Sequence, residues 1–388
     1  MKRTIIDQVS WLGVVDWNRR LFDSFVPLPD GTSYNAYLVE GTEKIALLDT
    51  VDPAQKDILL SQLEDVPKID YLVVHHAEQD HSGTIPDVLK KYPEAVVLTT
   101  AKAKGLLMEH MPIQPERIRT VEDGETVSLG GKTLRFLHMP WVHWPETMVT
   151  YLEEDKILFS CDFLGSHLAT SDLYVVDKGQ VFEAAKRYYA EIMMPFRKMI
   201  RKHLERLGEM DIAMVAPSHG PIYDSPDWII DAYRDWTGDK PKNEVVIPYI
   251  SMHGSTAKMV AHMVSALVDK GITVRPFDLE VTDIGKLAIA LVDAATIVIG
   301  TPTVHAGPHP NVFYATHLAN SLRPKLKFAS VIGSYGWGTQ AVERLIGLIP
   351  NLKVELLDPV MIKGDPGEAD LKALDDLADA IAEKHRTL

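Results

Sequence analysis

Four histidines and three carboxylates stand where they could share a metal. The run LVVHHAEQDHSG (72–83) places His76, Glu78, Asp80 and His81 within six residues, just past an apolar stretch. A solvated polar loop would read the same way, but the placement recurs. His143 follows TLRFLHMP, Asp162 follows KILFSC and His219 follows DIAMVAP, each beyond an apolar, strand-like run. Sheets of α/β proteins build their sites at the C-terminal ends of their strands. A loop at a strand end can turn such a cluster inward on one or two cations, which offsets the cost of crowding carboxylates.

A second set of residues points to an anion. Ser251, Met252, His253, Gly254, Ser255 and Thr256 lie between the apolar run EVVIPYI and a helix-forming segment. Backbone N–H groups, hydroxyls and a helix N-terminus can converge there on one phosphate. The loop lacks the lysine of a triphosphate-binding loop, and there is no GxGxxG for a dinucleotide. A monophosphate held without a cationic side chain fits best, although Ser/Thr-rich helix starts are also ordinary caps. Two further loops face the same crevice of a doubly wound sheet. GTPTVHAGPHP (300–310) brings Pro302, Thr303, Val304, His305, Ala306 and His309; GSYGWG (333–338) brings Ser334, Tyr335, Gly336, Trp337 and Gly338. Tyr335 and Trp337 among three glycines offer flat faces for a planar ring.

The elements that must position these residues change character near residue 240. Before it come short apolar or alternating runs, among them NAYLVEG, KIALLDT, YLVVHH, AVVLTT and MVTYLEE, with helical stretches such as FEAAKRYYAEIMMPFRKMIRKHLERL. The polar segment TGDKPKNE (237–244) reads as a linker. After it, five strand-like runs alternate with helices predicted over 256–270 and near 282–291, 311–321, 339–348 and 367–385. That rhythm predicts a doubly wound parallel sheet. The chain is therefore expected to be α/β throughout, with one domain over 1–240 and another over 241–388.

Composition narrows the partners. The 388 residues are 46% hydrophobic and 24% charged, ordinary for a globular protein, and 40 basic against 54 acidic residues leave a net charge of −14. That field repels phosphate backbones, so no nucleic-acid partner is expected. Cys161 is the single cysteine beside fifteen histidines, which excludes a disulfide scaffold and an all-cysteine iron–sulfur cluster. With no signal-like N-terminus and no run of about 18 apolar residues, a soluble cytoplasmic protein with no membrane partner is expected.

The order H-x-E-x-D-H, then a distant His, Asp and His, is similar to the metal-binding order of the metallo-β-lactamase-like fold. Hydrolases of that fold usually carry His where this chain has Glu78. The H-x-E-x-D-H form, with the HSG, HWP, PSHGPI and YGWG strings, resembles the flavodiiron proteins, and the likeness covers nearly the whole chain. It implies a metallo-β-lactamase-like αββα sandwich with two non-haem irons, followed by a flavodoxin-like domain holding FMN in the three loops above. It implies one iron on His76, Glu78 and His143 and another on Asp80, His81 and His219. Asp162 would bridge them, and Asp162 and His81 are the residues expected to carry catalysis. The implied activity is reduction of O2 to water and/or NO to N2O. The lone cysteine leaves no rubredoxin within the chain, so a separate rubredoxin or reduced coenzyme F420 would donate electrons. A head-to-tail homodimer, or a dimer of dimers, would bring FMN of one chain to the irons of another.

This chain departs from the family pattern at three places. Cys161 stands where relatives often have Asn, Glu146 where they have Asp, and Phe25 where a Tyr often lies near the irons. His75, His110, His138, His167, His203, His262, His317 and His385 are expected to be structural. The rival readings are a di-zinc hydrolase fused to a flavodoxin-like domain, and an FMN electron carrier with a relic metal half.

Overall fold

Period-two alternation along the N-terminal strands gives each sheet two faces to bury. In strand Tyr37–Glu40, Leu38 packs into one apolar cluster while Tyr37 and Val39 pack into another; in Ile45–Leu48, Leu47 and then Ala46 with Leu48 divide likewise. The first cluster fills the space under the helices Lys56–Gln62, Ile85–Lys91 and Ala101–His110 through Leu59, Val88 and Leu107. The second lies between two sheets, where Leu98 and Val73 meet Leu134, Phe136, Met148 and Phe159. A sheet buried on both faces needs such helical and sheet layers around it.

The computed structural model describes residues 2–388, which fall into two units: residues up to 188 with 196–235, and 189–195 with 236–388. The first unit is the αββα sandwich. Its seven-stranded sheet runs Arg3–Ile6, Val9–Trp11, Tyr37–Glu40, Ile45–Leu48, Tyr71–Val73, Val96–Thr99, Ile118–Thr120. Its five-stranded sheet runs Thr126–Ser128, Thr133–His138, Met148–Leu152, Ile157–Cys161, Met214–Pro217. Helix Arg197–Leu207 lies along the latter, with His203 Nε2 3.0 Å from the Pro140 carbonyl and Arg206 donating to the His138 carbonyl.

The second unit carries a parallel sheet in the order Thr273–Asp278, Lys242–Tyr249, Ala294–Val304, Phe328–Tyr335, then Glu355–Leu356 and Val360–Lys363. Val245, Ile247, Val298 and Ile332 meet Met259 and Met263 of helix Ser255–Val268 and Leu374 and Ile381 of helix Glu368–His385. This is the flavodoxin-like sheet.

Three details differ from the sequence reading. The last strand is split where Pro359 removes a ladder donor. The helical stretch around 182–207 is not continuous either. Helix Lys178–Tyr188 gives way to a wider turn and a tight one before Arg197–Leu207, and Pro195, lacking an N–H, sits at that break. Of the polar segment 237–244, residues from Lys242 onward already belong to a strand. Among the described residues no helix is long and apolar enough to cross a membrane.

Candidate metal centre and anion crevice

Four strand ends deliver the metal-type residues. Strand Tyr71–Val73 runs into His76 and Glu78 and then the single-turn helix Gln79–Ser82, which carries Asp80 and His81. Thr133–His138 leads to His143, Ile157–Cys161 to Asp162, and Met214–Pro217 to His219. The backbone is bent at these points. Asp49, Trp141, Cys161 and Leu164 all hold positive φ, at 56°, 69°, 54° and 66°. Such conformations cost about 1–3 kcal/mol each in non-glycine residues and persist where the surroundings over-determine them. Gly220, at φ 83°, follows His219; a Cβ there would approach the Ser166 carbonyl to 2.8 Å. Its N–H donates to Ser33 Oγ at 2.8 Å, which pins the turn.

The seven side chains converge as two trios around one carboxylate. Glu78 Oε2 lies 3.1 Å from both His76 Nε2 and His143 Nε2. Asp80 Oδ2 lies 3.5 Å from His81 Nε2 and 3.1 Å from His219 Nε2. Asp162 stands between: its Oδ2 is 3.6 and 3.7 Å from His76 and His143, and its Oδ1 is 3.1 and 3.3 Å from His81 and His219. Each trio has its candidate ligand atoms within 4.8 Å of one another. His76, Asp80, His81, Asp162 and His219 are buried, while Glu78 and His143 are half-buried.

These contacts fit two cations better than hydrogen bonding alone. Both Asp80 oxygens and His81 Nε2 are buried without a hydrogen-bond partner, a costly state unless a metal satisfies them. The imidazoles express the same need. Burial would lower His76, yet its bonds to Glu146 and Glu78 push it up to about 10. His219 overcomes burial through Asp162 and Asp80 to reach about 9, and His81 is driven well above its ordinary range by Asp162 and Asp80. Those upward shifts register the concentration of negative charge that a cation would offset.

Neighbouring groups orient the ring nitrogens that face away from the trios, an arrangement common around metal-binding histidines. Glu146 Oε1 is 2.7 Å from His76 Nδ1 and accepts from the Ala77 N–H at 3.1 Å. The Ser33 carbonyl is 2.7 Å from His219 Nδ1. His81 Nδ1 faces Cys161 Sγ at 3.8 Å and Asp49 Oδ2 at 3.9 Å. The buried Cys161 thiol is pushed up by burial and by Asp162. Tyr188 donates its buried hydroxyl to Asp162 Oδ1 at 2.8 Å.

Glu146 was visible in the sequence only as a departure from a motif, and Asp49, Ser33 and Tyr188 were not singled out. Asp49 ends the apolar run KIALLDT and so obeyed the strand-end rule. A backbone carbonyl and one tyrosine of an amphipathic helix carried no comparable signal.

The other histidines divide. His75 is buried between Asp49 Oδ2 and Thr150 Oγ1, 2.7 Å from each, outside both trios. His167 comes closer to the centre than its lone position suggested: its ring lies 4.9 Å from that of His219 and 4.7 Å from that of Tyr188. Its Nδ1 meets Thr32 Oγ1 at 2.8 Å, and burial together with His219 holds it well below the ordinary imidazole range. His262 and His385 make side-chain hydrogen bonds in the second unit, to Asp375 and to Thr296 and Asn243. Phe25 is 55% exposed.

In the second unit the three loops follow strands Lys242–Tyr249, Ala294–Val304 and Phe328–Tyr335. Ser251 Oγ accepts from the Gly254 and Ala257 N–H groups at 3.2 and 3.1 Å, closing the turn into helix Ser255–Val268. Gly254 holds φ 93°, and nothing lies within 4 Å of where its Cβ would be. The Cβ position there is open space, and the first amides of the helix, at Ser255 and Thr256, have no acceptor within the helix. Thr256 Oγ1 comes within 3.5 Å of Ser334 Oγ, linking the first loop to the third.

His305 and Ala306 hold φ of 48° and 61° at the tip of the short antiparallel turn in the second loop. Thr303 and Thr339 hydroxyls meet at 2.9 Å, and the Ala306 carbonyl accepts from the Gln340 N–H at 2.7 Å. Trp337 is 96% exposed between two open glycines. A large aromatic left that bare is a surface for a partner or a ring to cover. Pro302, Val304 and Tyr335 line the same strand ends. Backbone donors, hydroxyls and flat apolar faces are the materials a phosphorylated isoalloxazine needs.

Comparison with known proteins adds to this geometry. The family description "ODP family beta lactamase" matches residues 32–220. The chain is 38% identical to the nitric oxide reductase of Moorella thermoacetica over 91% of this chain and 90% of that protein. It is 34% identical to the coenzyme F420H2 oxidase of Methanocaldococcus jannaschii, covering 95% of this chain and 93% of that one. The solved structure of rubredoxin oxygen:oxidoreductase from Desulfovibrio gigas matches with a TM-score of 0.96 at 31% identity, over 100% of this chain and 99% of that chain. The flavodiiron protein of Giardia intestinalis gives 0.90 at 27% identity, over 99% and 98%.

Proposed function

As the chain belongs to the flavodiiron protein family, we propose that this oxidoreductase reduces O2 to water and/or NO to N2O, with electrons passed through FMN to a di-iron centre. The observation that carries the reading is the pair of trios sharing Asp162, one oxygen of the carboxylate turned to each. His76, Glu78 and His143 would hold one iron, and Asp80, His81 and His219 the other. Residues 251–256, 302–306 and 334–338 would hold FMN. Bound, the flavin would take up electrons from a donor and the iron pair would deliver them to the gas.

The chain's own residues set the conditions for that exchange. Glu146 and the Ser33 carbonyl fix the tautomers of His76 and His219, leaving each Nε2 lone pair for metal. The Tyr188 hydroxyl oxygen lies 2.8 Å from Asp162 Oδ1, and burial first, then Asp162, raises that phenol well above its ordinary range. Its hydroxyl therefore stays a donor that orients the shared carboxylate. Burial of five of the seven residues excludes bulk water from the more enclosed trio. Four electrons and four protons turn O2 into two waters; two of each turn two NO into N2O and water.

Relatives that are a coenzyme F420H2 oxidase and a rubredoxin-oxygen oxidoreductase support a rubredoxin or reduced coenzyme F420 as donor. The family resemblance supports a head-to-tail homodimer, with the metal centre in a domain over 1–240 and FMN in one over 241–388. The test is Asp162→Ala in the full chain. Gas consumption should fall about a hundredfold or more, exceeding the loss typical for a group one step removed from a metal. Reduction of FMN by the donor should persist. Undiminished turnover of both gases would refute the di-iron assignment.

A further inference from the structure

The phosphate cradle reads as free of cationic side chains, yet a lysine is moored at its rim. Resting on the FMN reading above, we propose that Asp365 acts as a latch on Lys258. It holds the ammonium that would otherwise answer the flavin phosphate, so this chain binds FMN more weakly than its loop permits. Strand Val360–Lys363 runs parallel to Phe328–Tyr335, and Gly364, at φ 82°, turns the chain at its end. The Gly364 N–H donates to the Tyr335 carbonyl at 3.0 Å, seating this turn beside the third flavin loop. Asp365 then reaches the start of helix Ser255–Val268. Its Oδ2 lies 2.6 Å from Lys258 Nζ, and its Oδ1 accepts from Ser255 Oγ at 3.4 Å.

Lys258 is the fourth residue of that helix. Side chains lean toward a helix N-terminus, so its ammonium belongs over the first turn, where the amides of Ser255 and Thr256 would meet a phosphate. Asp365 thus engages the Lys258 ammonium and the Ser255 hydroxyl, two donors at the helix start that could otherwise serve the ligand. It also sets a negative charge beside a dianion. The side chains of Lys258 and Asp365 are 61% and 60% exposed, so their ion pair contributes little to folding and opens readily. When FMN binds, Lys258 turns from carboxylate to phosphate, and Asp365 is left as a like-charged neighbour. The latch makes flavin affinity depend on ionic strength and on a residue outside the three flavin loops.

The test compares FMN with riboflavin, which lacks the phosphate, on the flavin-stripped full chain by fluorescence titration. Asp365→Asn should tighten FMN about fivefold in about 0.05 M salt, with the gain shrinking at about 0.5 M, and leave riboflavin unchanged. Lys258→Gln made in the Asp365→Asn background should erase most of that gain. An unchanged or weakened FMN affinity in Asp365→Asn would overturn the latch, as would an equal gain for riboflavin. A wild-type chain that takes up neither flavin would overturn the cofactor reading itself, and the latch with it.

Discussion

The metal centre and the flavin crevice both occupy the ends of sheet strands, but they are made of opposite materials. The first is seven ionisable side chains, five of them buried, with His76, His219 and Asp162 braced by neighbouring groups and the backbone held at positive φ around Asp49, Cys161 and Leu164. The second is amides, hydroxyls and exposed faces, with Trp337 and Met252 open to solvent. Ions of high charge require donors fixed where water is scarce, since an unpaired buried carboxylate is costly. A flavin brings its own large apolar area and needs few fixed charges. The metal region should therefore be sensitive at single residues and the crevice tolerant of them.

The largest effect expected from that contrast is at Glu146. Glu146→Ala removes the partner of His76 Nδ1, so iron affinity should fall about 10–100-fold in a chelator competition, while FMN content stays constant. A change within twofold would mean that the bracing is dispensable. Across the comparison, Trp337→Ala should weaken FMN only about fivefold by fluorescence titration, the scale of one lost stacking face. A complete loss of flavin would show the crevice to be as brittle as the metal site.

The smallest effect is a pH dependence with opposite signs in two states. In the metal-free protein His76 and His219 sit at about 10 and about 9, above the ordinary 6.5. Groups raised on folding contribute stability that is full below pH 6.5 and is lost as pH rises through about 9 and then about 10. Metal ions need the same nitrogens deprotonated, so loading is favoured by rising pH. The gap in Tm between loaded and stripped protein should widen by several degrees from pH 6.5 to 9. A gap that narrows would contradict the assignment of these imidazoles to metal.

The same contrast explains what the sequence revealed. His76 through His81 and the isolated His143, Asp162 and His219 were legible because ligand chemistry demands particular side chains, and strand ends recur in the sequence pattern. The β–α alternation after residue 240 was legible because its period changes from two to 3.6. The bracing was not. Ser33 contributes a carbonyl, which any residue has, and Tyr188 hides in an ordinary amphipathic helix. The salt link of Lys258 to Asp365 spans 107 residues, a distance at which no local pattern survives. Pro359 could have foretold the split in the last strand, since it lacks a ladder donor.

Metal and flavin content of the anaerobically purified chain tests the central claim most directly. Two irons and one FMN per chain, with iron dropping sharply in Asp162→Ala while FMN is retained, is the result expected. Two zincs without flavin would contradict it and return the chain to the hydrolases of the same fold.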